Sequence, residues 1–539
     1  MKKIILITLI IFISNIILAD IPKVYSNIKI DSNGEMFVQT KDSKKIPQFK
    51  SVPKYTVEQF TDKIQGTQNG LSFNFNKGPL FSVNLSYSKE LNKEYFSKNM
   101  QLIFRKYMIA LKKPIIKTIK KSQEWLIKDK KNNRKFIIKR NKEKLQVLDK
   151  LDGLLYYGFI NFNDGRYPQP VYFKKAAKII DGKAQINLKK LRGKYDMVGW
   201  EQKEFGVMGY RVVDETGQML FDGKISFRGK GPFSIETTIT SGPFVNIVKH
   251  NSAVISFDTS KASKALLKIN KKLIYSPEAK HHEIKVTDLK PDTLYSYAVV
   301  LDNYSENYEF KTSPEPGSRK PFVFAYVSDS RAAKGGGERD IKGTNTYIMK
   351  KIMALAAFKN IAFMQFSGDL ISGYLNTKEE TLFEYSNWKR CIEPFAHYFP
   401  VYTSVGNHEV VIHVFDNNTR YGLCVPKFPF ETHSTEAIFA KVFVNPDNGP
   451  FSEDGSEYDP DVKSIDFPSY KENVYYYTYD NVAVVVLNSD YWYNNSLKYT
   501  QAASGNLHGY IMDNQLEWLN TTLDKLEKNS NIEIGRAHV

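Results

Sequence analysis

Three short apolar runs, each closing on polar residues, organise the second half of this chain. Residues 322–327 lead into Ser328-Asp329-Ser330-Arg331, 361–366 into Gly368-Asp369, and 400–405 into Gly406-Asn407-His408-Glu409. Apolar runs of this length, bounded by turn residues, predict buried strands. Between the first two, residues 344–358 carry Ile348, Ile352 and Leu355 at helical spacing, a stripe that reads as core packing. Strands alternating with helical patterns predict an α/β sheet, and ligands gather beyond the carboxyl ends of such strands. Two carboxylates, a carboxamide and an imidazole would then meet at one rim.

The pattern upstream is different. Residues 20 to about 100 read as irregular or β structure of no recognisable type. From 100 to 151 the pattern predicts helix, with Ile115, Ile119 and Leu126 on one face and Leu145, Leu148 and Leu151 on another, interrupted at Pro114 and Asn132-Asn133. Residues 154–233 predict a small β domain, a sandwich or half-sandwich. There Ala184, Ile186 and Leu188 alternate, as do Ile225 and Phe227, and Asp181-Gly182 and Asp222-Gly223 read as hairpin turns. Residues 240–314 predict a second β unit from the alternation of Ala253, Ile255 and Phe257 and of Tyr295, Tyr297 and Val299. Residues 315–321 are its linker. Past Glu409 a long insertion ends in a Gly/Ser/Asp tract at 445–461. A strand pair turning at Asp480-Asn481 follows, then a helix from Gln515 with Leu523 and Leu526 on one face.

Charge adds one feature. The 539 residues carry a formal net charge of +18, and 105–147 alone holds 16 Lys/Arg against three acids. That segment is either a solvated face or a contact for an anionic surface. It lacks the interleaved aromatics of a single-strand groove, and no sequence-specific nucleic-acid binding is evident. Residues 1–19 have a basic start and an apolar centre and predict a secretory signal peptide, hence export to periplasm, cell surface or medium. Ile17 is a poor residue near the cut, so an uncleaved anchor is the alternative. Cys391 and Cys424 would form one disulfide or stay as two buried thiols. His281 and His282 read as surface residues on opposite sides of a strand.

The ordered set Asp329-x-Arg331, Gly368-Asp369 and Gly406-Asn407-His408-Glu409 resembles the calcineurin-like metallophosphoesterases. Ser241-Gly-Pro-Phe, the Pro291-Asp-Thr-Leu-Tyr-Ser-Tyr turn and Phe310-Lys-Thr-Ser-Pro resemble the borders and late hairpin of a fibronectin type III-like domain preceding the catalytic unit in purple acid phosphatase-like enzymes. The resemblance covers about 240–533. It implies a multidomain chain, with β-sandwich domains followed by an α/β metallophosphoesterase domain at 320–533, layered α/β/β/α. It implies two metal ions (Fe, Zn or Mn) that activate water against a phosphoester. Asp369 would bridge them, Asp329 would hold one and Asn407 the other. His408 would face the leaving oxygen as a proton donor, and Glu409 would support the turn.

Arg331 departs from that pattern, since the family has histidine there, or glycine with a tyrosine three residues after the bridging aspartate. Ser372 holds that second place, and Tyr374 follows two residues later. Arginine cannot ligate a metal but forks onto phosphate oxygens, so Arg331 reads as a phosphate contact or as a structural partner of a carboxylate. The functional expectation is an exported metal-dependent phosphoesterase; the alternative is an inactive phosphatase-like scaffold. The family's two later histidine elements have no counterpart here, and residues 534–539 read as a translated sequencing adapter. The chain is therefore expected to be incomplete at its C-terminal end and weak in metal binding. A chain starting near Ser241 is expected to fold alone.

Overall fold

A computed structural model describes residues 21–533 except 33–34, 49–52, 54, 76–80, 85–113, 120–123, 130–133, 142–143, 150, 163–166, 171–175, 192–197, 303, 333–339, 376, 411–412, 418–421, 426 and 495–496. The leader expected at 1–19, the tail 534–539 and residues 105–113 of the basic segment lie outside the described residues. The chain is multidomain and mostly β, and no helix among the described residues is long and apolar enough to cross a membrane.

The first strands, β1 (Ile28–Ile30), β2 (Met36–Gln39) and β3 (Lys45–Pro47), form an antiparallel meander. Next come β4 (Ile64–Gly66), β5 (Gly70–Asn74) and β6 (Phe81–Asn84). Of the helix expected across 100–151, residues 100–113 lie outside the described residues, and the described part from 114 on is not helical. Four strands occupy its second part: β7 (Pro114–Ile119), β8 (Glu124–Asp129), β9 (Arg134–Asn141) and β10 (Lys144–Asp149), in a sheet ordered β6-β10-β9-β8-β7. A spacing of four, as from Ile115 to Ile119, is one helical turn and also two periods of a strand. The β-branched isoleucines at 115, 116, 119, 127, 137 and 138 tip it to strand. Asn132-Asn133, read as an interruption, lies outside the described residues.

A five-stranded antiparallel sheet follows, ordered β12-β11-β14-β15-β16. Its strands are β11 (Gly153–Phe159), β12 (Ala176–Ile179), β14 (Phe205–Asp214), β15 (Met219–Arg228) and β16 (Ser234–Ile235). The intervening β13 (Lys183–Asn187) pairs instead with β5. Strands from before residue 154 thus join this unit, and Phe60, Leu71 and Phe73 share its core with Trp200, Tyr210 and Phe227. Asp181-Gly182 makes the turn between β12 and β13, both residues at positive φ. Asp222-Gly223 does not turn; it lies inside β15. Gly223 is there because a Cβ would come within 2.6 Å of the Tyr210 ring, and Asp222 is buried against Arg211 at 2.6 Å.

Next is a unit of β17 (Ile239–Asn246), β18 (Ala253–Ile269), β19 (Lys272–Val286), β20 (Leu294–Leu301) and β21 (Tyr304–Lys311). The long β18–β19 hairpin breaks register between Asp258 and Ala265. Its one half pairs with β17 and its other half with β20, which itself pairs with β21. Ile255 and Phe257 from the first half and Leu267 and Ile269 from the second share one core. His281 is half-exposed between Asp258 (2.7 Å) and Glu283 (2.9 Å). His282, read as a surface residue, is buried and stacks on Phe257 at 4.6 Å, because alternation sends it inward.

The last part holds a three-stranded parallel sheet, β22 (Ala325–Val327), β23 (Met364–Phe366) and β24 (Val401–Thr403), in that order. Helix Thr346–Phe358 connects the first two strands and Lys378–Ala396 the second two. Short β25 (His413–Phe415) and β26 (Leu423–Cys424) pair, as do β27 (Tyr475–Tyr479) and β28 (Val482–Val486). The first helix carries two apolar faces. It buries Met349, Met353, Ala356 and Ala357 and packs Ile352 partly buried against the same core, while Ile348 and Leu355, the other two residues of the expected stripe, are exposed. Cys391 and Cys424 are two buried free thiols.

This sheet does not stand apart from what precedes it. Val24, Tyr25, Ile28, Val38 and Ile46 lie in its core, and Trp492 donates to the Tyr25 hydroxyl at 3.0 Å. Phe383 of the second helix packs in the other core, on Phe60 and Phe221. Lys224 of β15 is buried against Glu393 of that helix at 2.5 Å. A chain starting at Ser241 would lose all of these, which runs against its folding alone.

Candidate functional site

The carboxyl ends of β22, β23 and β24 release three loops that touch one another. Asp329 and Asp369 both sit at positive φ, 58° and 55°, in their loops. The Asp329 N–H donates to the Gly368 carbonyl at 3.2 Å, and the Arg331 N–H to the Asp369 carbonyl at 3.1 Å. Glycines set how closely the loops approach. A Cβ on Gly368 would lie 2.7 Å from Gly406 Cα, and one on Gly373 would lie 1.7 Å from the His408 carbonyl oxygen.

One buried carboxylate ties the second loop to the third. Glu409 Oε2 accepts from the backbone N–H of Asp369 and of Gly406, each at 2.8 Å, and Oε1 from that of Ile371 at 3.1 Å. Burial pushes its carboxyl up to about 7, with the nearby Asp369 adding to it. Behind it, Glu384 of helix Lys378–Ala396 accepts from the Gly373 N–H at 3.0 Å, and burial likewise raises it to about 7. Trp388 of the same helix donates to Ser330 Oγ at 2.8 Å, and Ser330 donates to the Leu370 carbonyl at 2.9 Å.

At the rim the structure brings together all five residues singled out from the sequence. Asp369 Oδ1 accepts from the His408 N–H at 3.2 Å, and its Oδ2 lies 3.8 Å from His408 Nε2. Burial raises the Asp369 carboxyl, and His408 pulls the other way. His408 Nδ1 lies 2.6 Å from the Ser372 carbonyl, which can only accept, so Nδ1 carries the proton and Nε2 faces the rim. Asn407 donates from Nδ2 to the Tyr374 hydroxyl at 2.9 Å, leaving its amide oxygen for other partners. Asp329 is largely exposed and takes the Ser328 hydroxyl at 2.6 Å. Arg331 places Nε 3.2 Å from Asp369 Oδ2 and 3.9 Å from Asp329 Oδ1. Of its two sequence readings, this geometry is the pairing with carboxylates.

The sequence assigns no role to two contributors, Tyr374, noted only for standing two residues past the family's tyrosine position, and Glu384. Tyr374 stands five residues after Asp369, yet its positive φ of 54° swings it onto Asn407, and its ring edge meets His408 at 4.3 Å. Glu384 lies on a helix whose motif-free sequence carries no signal. His397 is buried on Tyr308 of β21 at 4.0 Å and pushed down to about 3 by burial, which makes it packing. His508 pairs with Asp490 and packs on Tyr493 at 4.3 Å.

The donors among the described residues do not complete a pair of metal ions. Among the described residues no group of three or more His, Cys, Asp or Glu is arranged to hold one. Asp329, Asp369 and the Asn407 carbonyl supply hard oxygens suited to one end of such a centre. A guanidinium, which cannot ligate, stands between the two carboxylates.

No family model matches the chain, and no curated protein matches it. Among solved structures it is similar to one titled structure of PhoD, at 15% identity, 47% of this chain, 52% of that one and a TM-score of 0.29. It is also similar to purple acid phosphatase PPD1 from yellow lupin (Lupinus luteus) seeds, at 13% identity, 65% and 62% coverage and a TM-score of 0.32. The central fibronectin-III array of RIM-binding protein follows, at 14% identity, 39% and 71% coverage and a TM-score of 0.17. The chain thus spans 52% and 62% of the first two. Likenesses this loose carry no argument about its chemistry.

Proposed function

We propose that this chain is a phosphoesterase-like protein whose rim at β22, β23 and β24 receives a phosphoester. The observation that carries the reading is the convergence of Asp329, Arg331, Asp369 and His408 on loops held by Glu409. A phosphoester oxygen is an anion that a guanidinium fork matches, and Arg331 supplies one. His408 has its proton fixed on Nδ1, so Nε2 is the ring atom able to accept a proton or, as imidazolium, to donate one to a leaving oxygen. Export belongs to the same proposal; the Fe, Zn or Mn pair of the sequence resemblance does not, because among the described residues no group of three or more His, Cys, Asp or Glu is arranged to hold an ion. No step is routed through metal, because the donors present do not complete the centre.

A second reading, phosphoester binding without turnover, is favoured by Arg331 lying against Asp369 rather than free. The full chain, given chromogenic phosphate mono- and diesters with and without Mn, Zn or Fe, separates the two. Turnover lost in Asp369→Asn, and strongly reduced in His408→Ala with substrate binding kept, is expected for the first. No turnover under any metal condition would remove it and leave the second.

A further inference from the structure

The guanidinium of Arg331 is a fixed positive charge in a place that two aspartates would otherwise offer to a cation. Its backbone is bolted down: the N–H is donated to the Asp369 carbonyl, and the residue bridges to Thr344. The side chain then has one short route, over Asp369 Oδ2 at 3.2 Å and toward Asp329 Oδ1 at 3.9 Å. The other Asp369 oxygen is taken by the His408 N–H, so Oδ2 is the atom a cation would seek. Arginine stays charged at every pH a protein survives, so no titration clears it from this position.

We infer that Arg331 is an internal counter-ion that holds divalent cations off Asp329 and Asp369, so that this end of the rim is neutralised by the protein itself. With Arg331 in place, an incoming Mn2+ must displace a guanidinium from the buried Asp369 carboxylate and meets its repulsion at short range. With Arg331 gone, the Asp329 and Asp369 carboxylates that it approaches would stand with no guanidinium between them. Such a pair is a donor set for an oxygen-seeking divalent ion. The inference shares residues with the phosphoester reading but concerns cation affinity, not turnover, so either can fail alone.

Mn2+ binding to the full chain, followed by calorimetry or by the electron-spin signal of the free ion, tests it. Arg331→Gln should bind Mn2+ at least tenfold tighter than wild type, a gain of about 1.4 kcal/mol. Arg331→Lys, which keeps the charge, should stay near wild type. The gain should vanish in Arg331→Gln with Asp369→Asn. Equal Mn2+ affinity in wild type and Arg331→Gln would overturn the inference, as would a gain that survives Asp369→Asn. Should circular dichroism show Arg331→Gln unfolded, Arg331→Met keeps the aliphatic stem without the charge and carries the same two outcomes.

Discussion

Replacing Lys224 with methionine removes a charge from a fully buried junction, where Lys224, Glu306 and Glu393 are each at most 3% exposed. Lys224 Nζ lies 2.5 Å from Glu393 Oε1, donates to the Gly242 carbonyl at 3.1 Å and stands 4.0 Å from Glu306 Oε1. These three residues come from β15, from helix Lys378–Ala396 and from β21, so one ammonium joins the three units. Glu393 keeps Arg390 at 2.6 Å, and Glu306 keeps the Tyr304 and Tyr308 hydroxyls at 3.0 and 2.9 Å. Breaking a buried pair from one side costs about 3–5 kcal/mol, and Arg390 should hold the loss near the lower figure. Glu306 is already raised by burial and restrained by Lys224, so in Lys224→Met it rises further. An acid raised in the folded state destabilises only where it would otherwise ionise. The loss should therefore be about 3 kcal/mol at pH 8 and clearly smaller at pH 5. Urea unfolding followed by tryptophan fluorescence measures it at both values. A loss under about 1 kcal/mol at pH 8, or an equal loss at the two pH values, would mean that Lys224 does not hold the units together electrostatically.

Two further outcomes are expected. Gly373→Ala puts a methyl 1.7 Å from the His408 carbonyl oxygen at a φ of 54°, so it should move His408 and lower any phosphoester affinity or turnover by more than the roughly 1–2 kcal/mol of the backbone strain alone; unchanged affinity and turnover would show that the two loops are not in this contact. Glu384, Glu436 and Glu472 are each raised to about 7 by burial. Stability from a raised acid is whole below its unfolded value, near 4.5, and is lost as pH climbs through 7. His281, raised to about 9 by Asp258 first and then Glu283, acts in the same direction, whereas His397, lowered to about 3 by burial, opposes it below about pH 6.5. The melting temperature should fall by at least about 5 °C from pH 5.5 to pH 8, with a shallower fall in Glu436→Gln, and a flat profile would contradict the burial of these carboxyls.

How far the sequence could be read depends on how far apart the interacting residues lie along it. The rim was legible because each loop carries its chemistry within five residues of a strand end, and parallel strands deliver such ends to one side. Glu409 was legible as a support because it caps its own turn. Arg331 stayed divided between phosphate and carboxylate, since a guanidinium suits both, and only the 3.2 Å approach to Asp369 favours one. Residues 114–149 were misread because isoleucines four apart satisfy two periods at once, and partners on neighbouring strands decide between them. On helix Thr346–Phe358 the expected core stripe was right only at Ile352 for a related reason, since Ile348 and Leu355 make the exposed side apolar as well. The contacts that join the units were hidden altogether. Lys224 and Glu393 stand 169 residues apart, and Tyr25 and Trp492 stand 467 apart. No local period marks a lysine whose partner is on another unit's helix. The same holds at the rim, where Glu384 reaches Gly373 from a helix with no motif. A site read from its motifs alone therefore shows the residues that face a ligand and leaves out those that hold them there. Substitutions at Lys224, Glu384 and Gly373 should accordingly act on stability and loop position in places where motif reading gives no warning.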